Sequence, residues 1–186
     1  MDKPKYSLHL FAGAGGGILA DIIGGGTVPV CAVEIEKHAQ SVLALRFPRL
    51  TIWDDIRTFR ADNPDCAGMF GDLRSVASEL VVAGGFPCQD ISCAGKGEGL
   101  RGARSGLWSE YARVVREVRP RYVFVENSPM LCSRGIGRVL GDLAKMGYDA
   151  AWCVLSAKSM GARHRRDRIW ITATANAYCD WQQQPR

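Results

Sequence analysis

The 186 residues make one domain, long enough to bury most of its unfolded surface in a single core. Its net charge of +5, from 24 basic and 19 acidic residues, permits a nucleic-acid partner without demanding one. Seven cysteines with no Cys-x-x-Cys pair and no secretory apolar region argue for a reducing cytoplasm, three scattered histidines argue against a metal site, and no apolar run approaches the roughly 20 residues of a membrane span.

Tyr6-Ser7-Leu8-His9-Leu10 reads as a strand, and it runs into Phe11-Ala12-Gly13-Ala14-Gly15-Gly16-Gly17, a glycine turn that opens a helix. Gly13 and Gly15 let backbone approach a ligand without Cβ interference, and the helix that follows presents free N–H groups. A dinucleotide fingerprint needs a further glycine at position 18; Ile18 stands there, which weakens a nicotinamide-binding oxidoreductase reading. A second strand ends at Glu34, about 20 residues beyond the turn, where a carboxylate can accept from two ribose hydroxyls. The plainer alternative is a solvated charge beside Glu36. A third strand ends near Trp53 and delivers Asp55-Ile56, leaving 57 to 79 as a loop or an extra helix.

Leu80-Val81-Val82-Ala83-Gly84-Gly85-Phe86 reads as a fully buried strand closed by a tight turn, which holds Pro87-Cys88-Gln89 at its C-terminal edge. In open α/β sheets that edge is where ligands bind, although a lone cysteine is more often an inert buried thiol. Ser92 to Gly106 combines five glycines with Lys96, Arg101 and Arg104, a mobile loop suited to phosphate contact or a bland linker. A helical face follows at Leu107, Tyr111, Val114, Val115 and Val118, then the strand Tyr122-Val123-Phe124-Val125 with Glu126-Asn127 at its end. A helix from Gly135 to Met146 buries Ile136, Val139, Leu140 and Leu143, with Gly147 as left-handed cap. Strands at Ala150 to Leu155 and Arg168 to Thr174 form a hairpin-like pair, separated by the basic run Arg163-His164-Arg165-Arg166-Asp167. This alternation predicts an α/β fold with a doubly wound, mostly parallel sheet over residues 1–175, and a polar tail without fixed structure over 176–186.

The glycine turn, the Pro-Cys-Gln, the Glu-Asn after a hydrophobic strand and the pair Arg166 and Arg168 stand in an order that resembles the DNA cytosine-5 methyltransferases, short bacterial and phage enzymes above all. The resemblance spans nearly all of residues 5 to 175. It implies a Rossmann-like, seven-stranded sheet with a final antiparallel strand. It also implies S-adenosylmethionine as cofactor, held by Phe11, Gly13, Gly15, Gly16, Glu34, Ile35, Asp55, Ile56 and Leu107, with Phe11 near the adenine and Asp55 on its amino group. Asp72-Leu73 is a competing match; the spacing of Asp55 from Glu34 suits one helix plus one strand and is preferred.

Cytosine C5 is a poor nucleophile, so methylating it first requires disrupting the ring. A thiolate can do this by adding to C6, the role assigned to Cys88. Negative charge then builds at N3, which calls for a sheltered carboxyl, Glu126, to protonate or hydrogen-bond it. The activated C5 takes the methyl; loss of the C5 proton and expulsion of the thiolate complete the cycle. Arg168 is expected on the O2 edge of the base, and Arg166 on phosphate or bracing the site. The base must be flipped from duplex DNA to be reached. Ser128 stands where valine is commonest in the family and His164 where glutamine is usual. Family enzymes continue past the arginine motif into a target-recognition region and a returning helix. Three expectations therefore stand beside the role in restriction-modification or phage DNA protection: recognition supplied by a second polypeptide, a cofactor-binding remnant, or a tRNA-directed relative.

Overall fold

The computed structural model describes residues 4–87 and 107–178. Cys88, the glycine-rich basic segment up to Gly106 and the tail from Cys179 lie outside them. Strand β1 (Tyr6–Leu10) meets the glycine turn, and helix α1 (Gly16–Ala20) widens into a π-helical turn at Asp21–Gly25. Strand β2 (Val28–Val33), helix α2 (Lys37–Arg46) and strand β3 (Thr51–Trp53) follow. Glu36 caps α2, its carboxylate accepting from the N–H groups of His38 and Ala39 at 3.0 and 2.6 Å, and those bonds hold its carboxyl below the usual range. Between 57 and 79 the chain forms short helical turns instead of one helix: α3 (Pro64–Ala67), capped by Asn63 with proline at its first position, and 3-10 turns at Gly68–Phe70 and Leu73–Glu79.

The second half contains β4 (Leu80–Gly84), α4 (Leu107–Val118), β5 (Tyr122–Asn127), α5 (Leu131–Arg134), α6 (Ile136–Lys145), β6 (Tyr148–Ser156) and β7 (Asp167–Ala175). The helix expected from Gly135 to Met146 is α6, shorter by one residue at each end, and Gly147 ends it at φ 82°. The short α5 was not anticipated, because four residues carry no usable periodicity.

Among the described residues the sheet has seven strands in the order β3-β2-β1-β4-β5-β7-β6. The first five are parallel, and β7 runs antiparallel between β5 and β6. Strand order reverses between β1 and β4, so the crevice beyond their C-terminal ends is the topological switch point at which doubly wound sheets bind ligands.

One face of the sheet is the core. Leu8, Leu10, Leu80, Val82, Val123, Val125, Ile169 and Ile171 are buried there with Trp108, Tyr111, Val114, Val115 and Val118 of α4 and Val139 and Leu143 of α6. Each large apolar side chain removed from water contributes roughly 1.5–3 kcal/mol, so this face carries most of the stabilisation. Trp108 also donates its indole N–H to Asp142 at 2.9 Å, tying α4 to α6. The opposite face is half open at its β6 side: Phe124 and Trp170 stack at 5.3 Å while still partly exposed, and β6 is exposed from Asp149 to Leu155.

Candidate active site

Two adjoining cavities open at the switch point, and Phe11 and Gly85 belong to both. The smaller, about 270 Å³, is lined by Phe11, Glu34, Ile35, Asp55, Ile56 and Leu107 together with Val33, Asp54, Arg57, Gly85 and Pro87. Six residues singled out in the sequence thus come from four separate segments to one hollow. Most of its wall is apolar, and three carboxylates, Glu34, Asp54 and Asp55, stand in it beside Arg57. Glu34 accepts from Gly13 N–H at 2.7 Å and from Glu36 N–H at 2.8 Å through different oxygens. Glu36 is the charge committed to capping, and Glu34 is the one turned inward. Asp55 accepts from Arg57 N–H at 2.9 Å. Each carboxylate oxygen keeps a second lone pair for a ligand hydroxyl or amine.

Asp72 does not line this hollow. It caps the turn at Leu73–Glu79 and pairs with Arg74 at 2.7 Å, which holds its carboxyl below the usual range. Both aspartates are half-buried, and what separates them is that Asp55 lines the cavity while Asp72 does not. Phe11 adopts a left-handed backbone at φ 54°, which costs a non-glycine residue about 1–2 kcal/mol, and its ring stacks on Tyr111 at 6.5 Å. An aromatic row continues from Tyr111 to Trp108 at 5.5 Å and on to Phe86 at 5.6 Å, connecting the glycine turn to the end of β4.

Of the four glycines of the turn, Gly13, Gly15 and Gly16 line neither cavity, and Gly17 lines the larger. Gly13 sits beside the smaller one through its bond to Glu34, and a Cβ on Gly13 or Gly16 would meet nothing. At Gly15 the constraint is packing: a Cβ would lie 2.6 Å from Phe47 and 2.9 Å from Leu43 of the neighbouring helix segment, at φ 85°. Close approach of α2 is by itself a sufficient reason for that glycine.

The larger cavity, about 590 Å³, is lined by Glu126, Arg166, Arg168, Trp170, Gly84 and Gly85, among others. Arg168 Nε meets Glu126 Oε1 at 2.5 Å, across the antiparallel β5–β7 pair. Glu126 Oε2 lies where a Cβ on Gly85 would stand 2.5 Å from it, so only glycine leaves room for the carboxylate. Arg166 joins the same cavity from the turn before β7, which a bond from Ala157 N–H to Arg166 O closes at 3.0 Å. Cys88 lies outside the described residues; its neighbour Pro87 is on the wall of the smaller cavity.

The sequence singles out Asn127 only as part of the Glu-Asn motif, without a role, and assigns none to His9. Asn127, buried at the end of β5, donates to Phe86 O at 3.0 Å and accepts from Ser128 N–H at 2.8 Å, so it tethers the backbone just before Pro87-Cys88. A polar residue ending an apolar strand was the available signal. His9 is buried on the floor of the larger cavity, with its Nε2 3.1 Å from Ser7 Oγ and 3.2 Å from Asp21 Oδ2. A histidine within an otherwise apolar strand pointed to it.

A doubly wound seven-stranded sheet with an antiparallel strand inserted near one edge and cavities at its switch point is the Rossmann-like fold of the methyltransferases. The chain belongs to the C-5 cytosine-specific DNA methylase family, whose pattern matches residues 6–184. The Type II methyltransferase M.CviJI of Paramecium bursaria Chlorella virus IL3A is 31% identical over 174 residues, covering 92% of this chain and 44% of that protein. The Type II methyltransferase M2.BsuMI of Bacillus subtilis is 33% identical over 175 residues, covering 90% and 41%. A prophage-encoded E. coli protein assigned as a DNA modification methyltransferase superposes with a TM-score of 0.74 at 25% identity, covering 92% of this chain and 47% of that one. The chain therefore spans less than half the length of these relatives. Among the described residues no helix is long and apolar enough to cross a membrane.

Proposed function

We propose that the chain carries the catalytic half of a DNA cytosine-5 methyltransferase, with S-adenosylmethionine in the smaller cavity and a flipped cytosine in the larger. The observation that carries this reading is the adjacency of the two hollows through Phe11 and Gly85, one suited to a nucleoside and the other holding the Glu126–Arg168 pair. The donor set fits the cofactor: Glu34 accepts from ribose hydroxyls, Asp55 from the adenine amine, and Phe11, Ile35, Ile56 and Leu107 cover the flat faces of the base. When bound, the cofactor supplies an electrophilic methyl group on a sulfonium.

The protein's own residues do the rest. Cys88 adds to C6 as a thiolate, moving electron density toward C5. Glu126 holds the proton or hydrogen bond at N3, and Arg168 keeps that carboxyl oriented while reaching the O2 edge. After transfer the C5 proton leaves to solvent or a base, and the C6–S bond breaks to return the thiolate. Arg166, with Lys158, Arg163 and Arg165 and the basic residues between Lys96 and Arg104, supplies phosphate contacts that carry affinity without base information.

Incubating the chain with cofactor and duplex containing 5-fluorocytosine should trap a covalent adduct, because fluorine cannot be lost as a cation. The adduct is expected to vanish in Cys88→Ser. An adduct that survives the substitution rules out Cys88 as nucleophile. Calorimetry that finds tighter binding of NAD than of S-adenosylmethionine refutes the class. DNA affinity is expected to fall steeply with salt and to be indifferent to sequence. Retention of one duplex at high salt contradicts the phosphate-only reading, and binding confined to structured RNA favours a tRNA substrate.

A further inference from the structure

The segment that brings Asp55 and Ile56 into the smaller cavity has no regular structure between β3 and α3; Trp53 of β3 donates to Thr58 at 2.9 Å, and a side chain from α4 grips its carbonyls. Arg113 of α4 donates from Nη2 to Ile56 O at 2.6 Å and from Nη1 to Phe59 O at 3.0 Å. The same guanidinium is braced on its own helix by Glu110, 2.7 Å from Nε, and by Glu117, 2.6 Å from Nη1. Two carboxylates one turn before and one turn after fix its rotamer, so little side-chain freedom is lost when the carbonyls are engaged. Leu107, the first residue of the same helix, lines the same cavity. A single rigid element thus supplies both a wall and a clamp.

We propose that Arg113 is a positioning residue for nucleoside recognition: by gripping the carbonyls of Ile56 and Phe59 it sets where the Asp55 carboxylate meets the adenine amine. The proposal rests on the cofactor reading of the smaller cavity. A lysine has no planar fork and cannot span two carbonyls and two carboxylates together, so the fork geometry is what the site uses.

If Arg113 were only a structural staple, its loss would lower the melting temperature and weaken all ligands alike. A positioning role instead changes which base is preferred. Calorimetry with S-adenosylhomocysteine and with its 6-deamino purine analogue separates the two. The parent chain is expected to favour the amine-bearing ligand about tenfold, the scale of one hydrogen bond to a charged acceptor. In Arg113→Gln the preference should shrink to about twofold or less. Arg113→Lys should fall between, and it carries the test if the glutamine variant does not fold. A parent without any preference overturns the cofactor reading and the proposal together. A variant that keeps the parent's preference overturns the proposal alone.

Discussion

Two carboxylates of the smaller cavity are held by backbone N–H groups, Glu34 by Gly13 of the turn after β1 and by its neighbour Glu36, and Asp55 by Arg57. The larger cavity is held by contacts between strands distant in the chain: Glu126 of β5 to Arg168 of β7, and Asn127 of β5 to Phe86 beyond β4. The first arrangement presents acceptors in place before any ligand arrives. The second depends on β7 being inserted beside β5, and its outer rim is left open, where Leu155 is 42% and Met160 75% exposed. Under the proposed function, nucleoside binding would rest on acceptors already held by backbone N–H groups and base chemistry on a cross-strand ion pair, so the two are expected to be separable.

The most severe way to break the larger cavity without touching the smaller is Glu126→Gln, which keeps shape and removes both the ion pair and the proton carrier. The rate of adduct formation on 5-fluorocytosine duplex is expected to fall about 100-fold or more. Cofactor affinity should stay within about twofold, because Glu126 does not line the smaller cavity. Parallel losses in rate and affinity would show that the two cavities are one energetic unit.

Glu34→Ala attacks the other side. Loss of an acceptor for two hydroxyls should cost about 1.5–3 kcal/mol, roughly tenfold or more in cofactor affinity. Asp72→Ala sharpens the comparison, since it removes a cap and an exposed ion pair at an aspartate outside both cavities. It is expected to leave affinity unchanged while lowering stability by about 1 kcal/mol. Calorimetry and denaturant titration on both variants check this, and an affinity loss in Asp72→Ala would reopen the choice between the two aspartates.

Asn127→Ala strips the donor from a buried carbonyl at the threshold of Pro87-Cys88. The cost is about 1–3 kcal/mol in stability, which for a domain of this size is a melting temperature lower by roughly 2–12 °C. Unchanged melting would mean that the Phe86 carbonyl finds another donor.

Strands were legible because each is a short apolar run with punctuation: the glycine turn after Leu10, the acidic residue after Val33, Gly84-Gly85 after Ala83, Glu126-Asn127 after Val125. α4 was legible from its apolar spacing. Legibility failed where a residue's purpose lies in a partner far along the chain. Gly15 is small because of Phe47 and Leu43, Gly85 because of Glu126, and Arg113 is placed by carbonyls more than fifty residues away.

Residue types and their order by themselves determined the alternation of strands and helices and the acidic residues after two strands, and singled out Cys88 and Glu126 as candidates, since each depends on chemistry carried within a few neighbours. Only the tertiary structure decided that β7 lies between β5 and β6, that Arg168 consequently faces Glu126, and that Asp55 faces the hollow while Asp72 caps a turn. Those outcomes follow from which apolar faces can be buried together, a condition on the whole sheet that no local window of sequence contains.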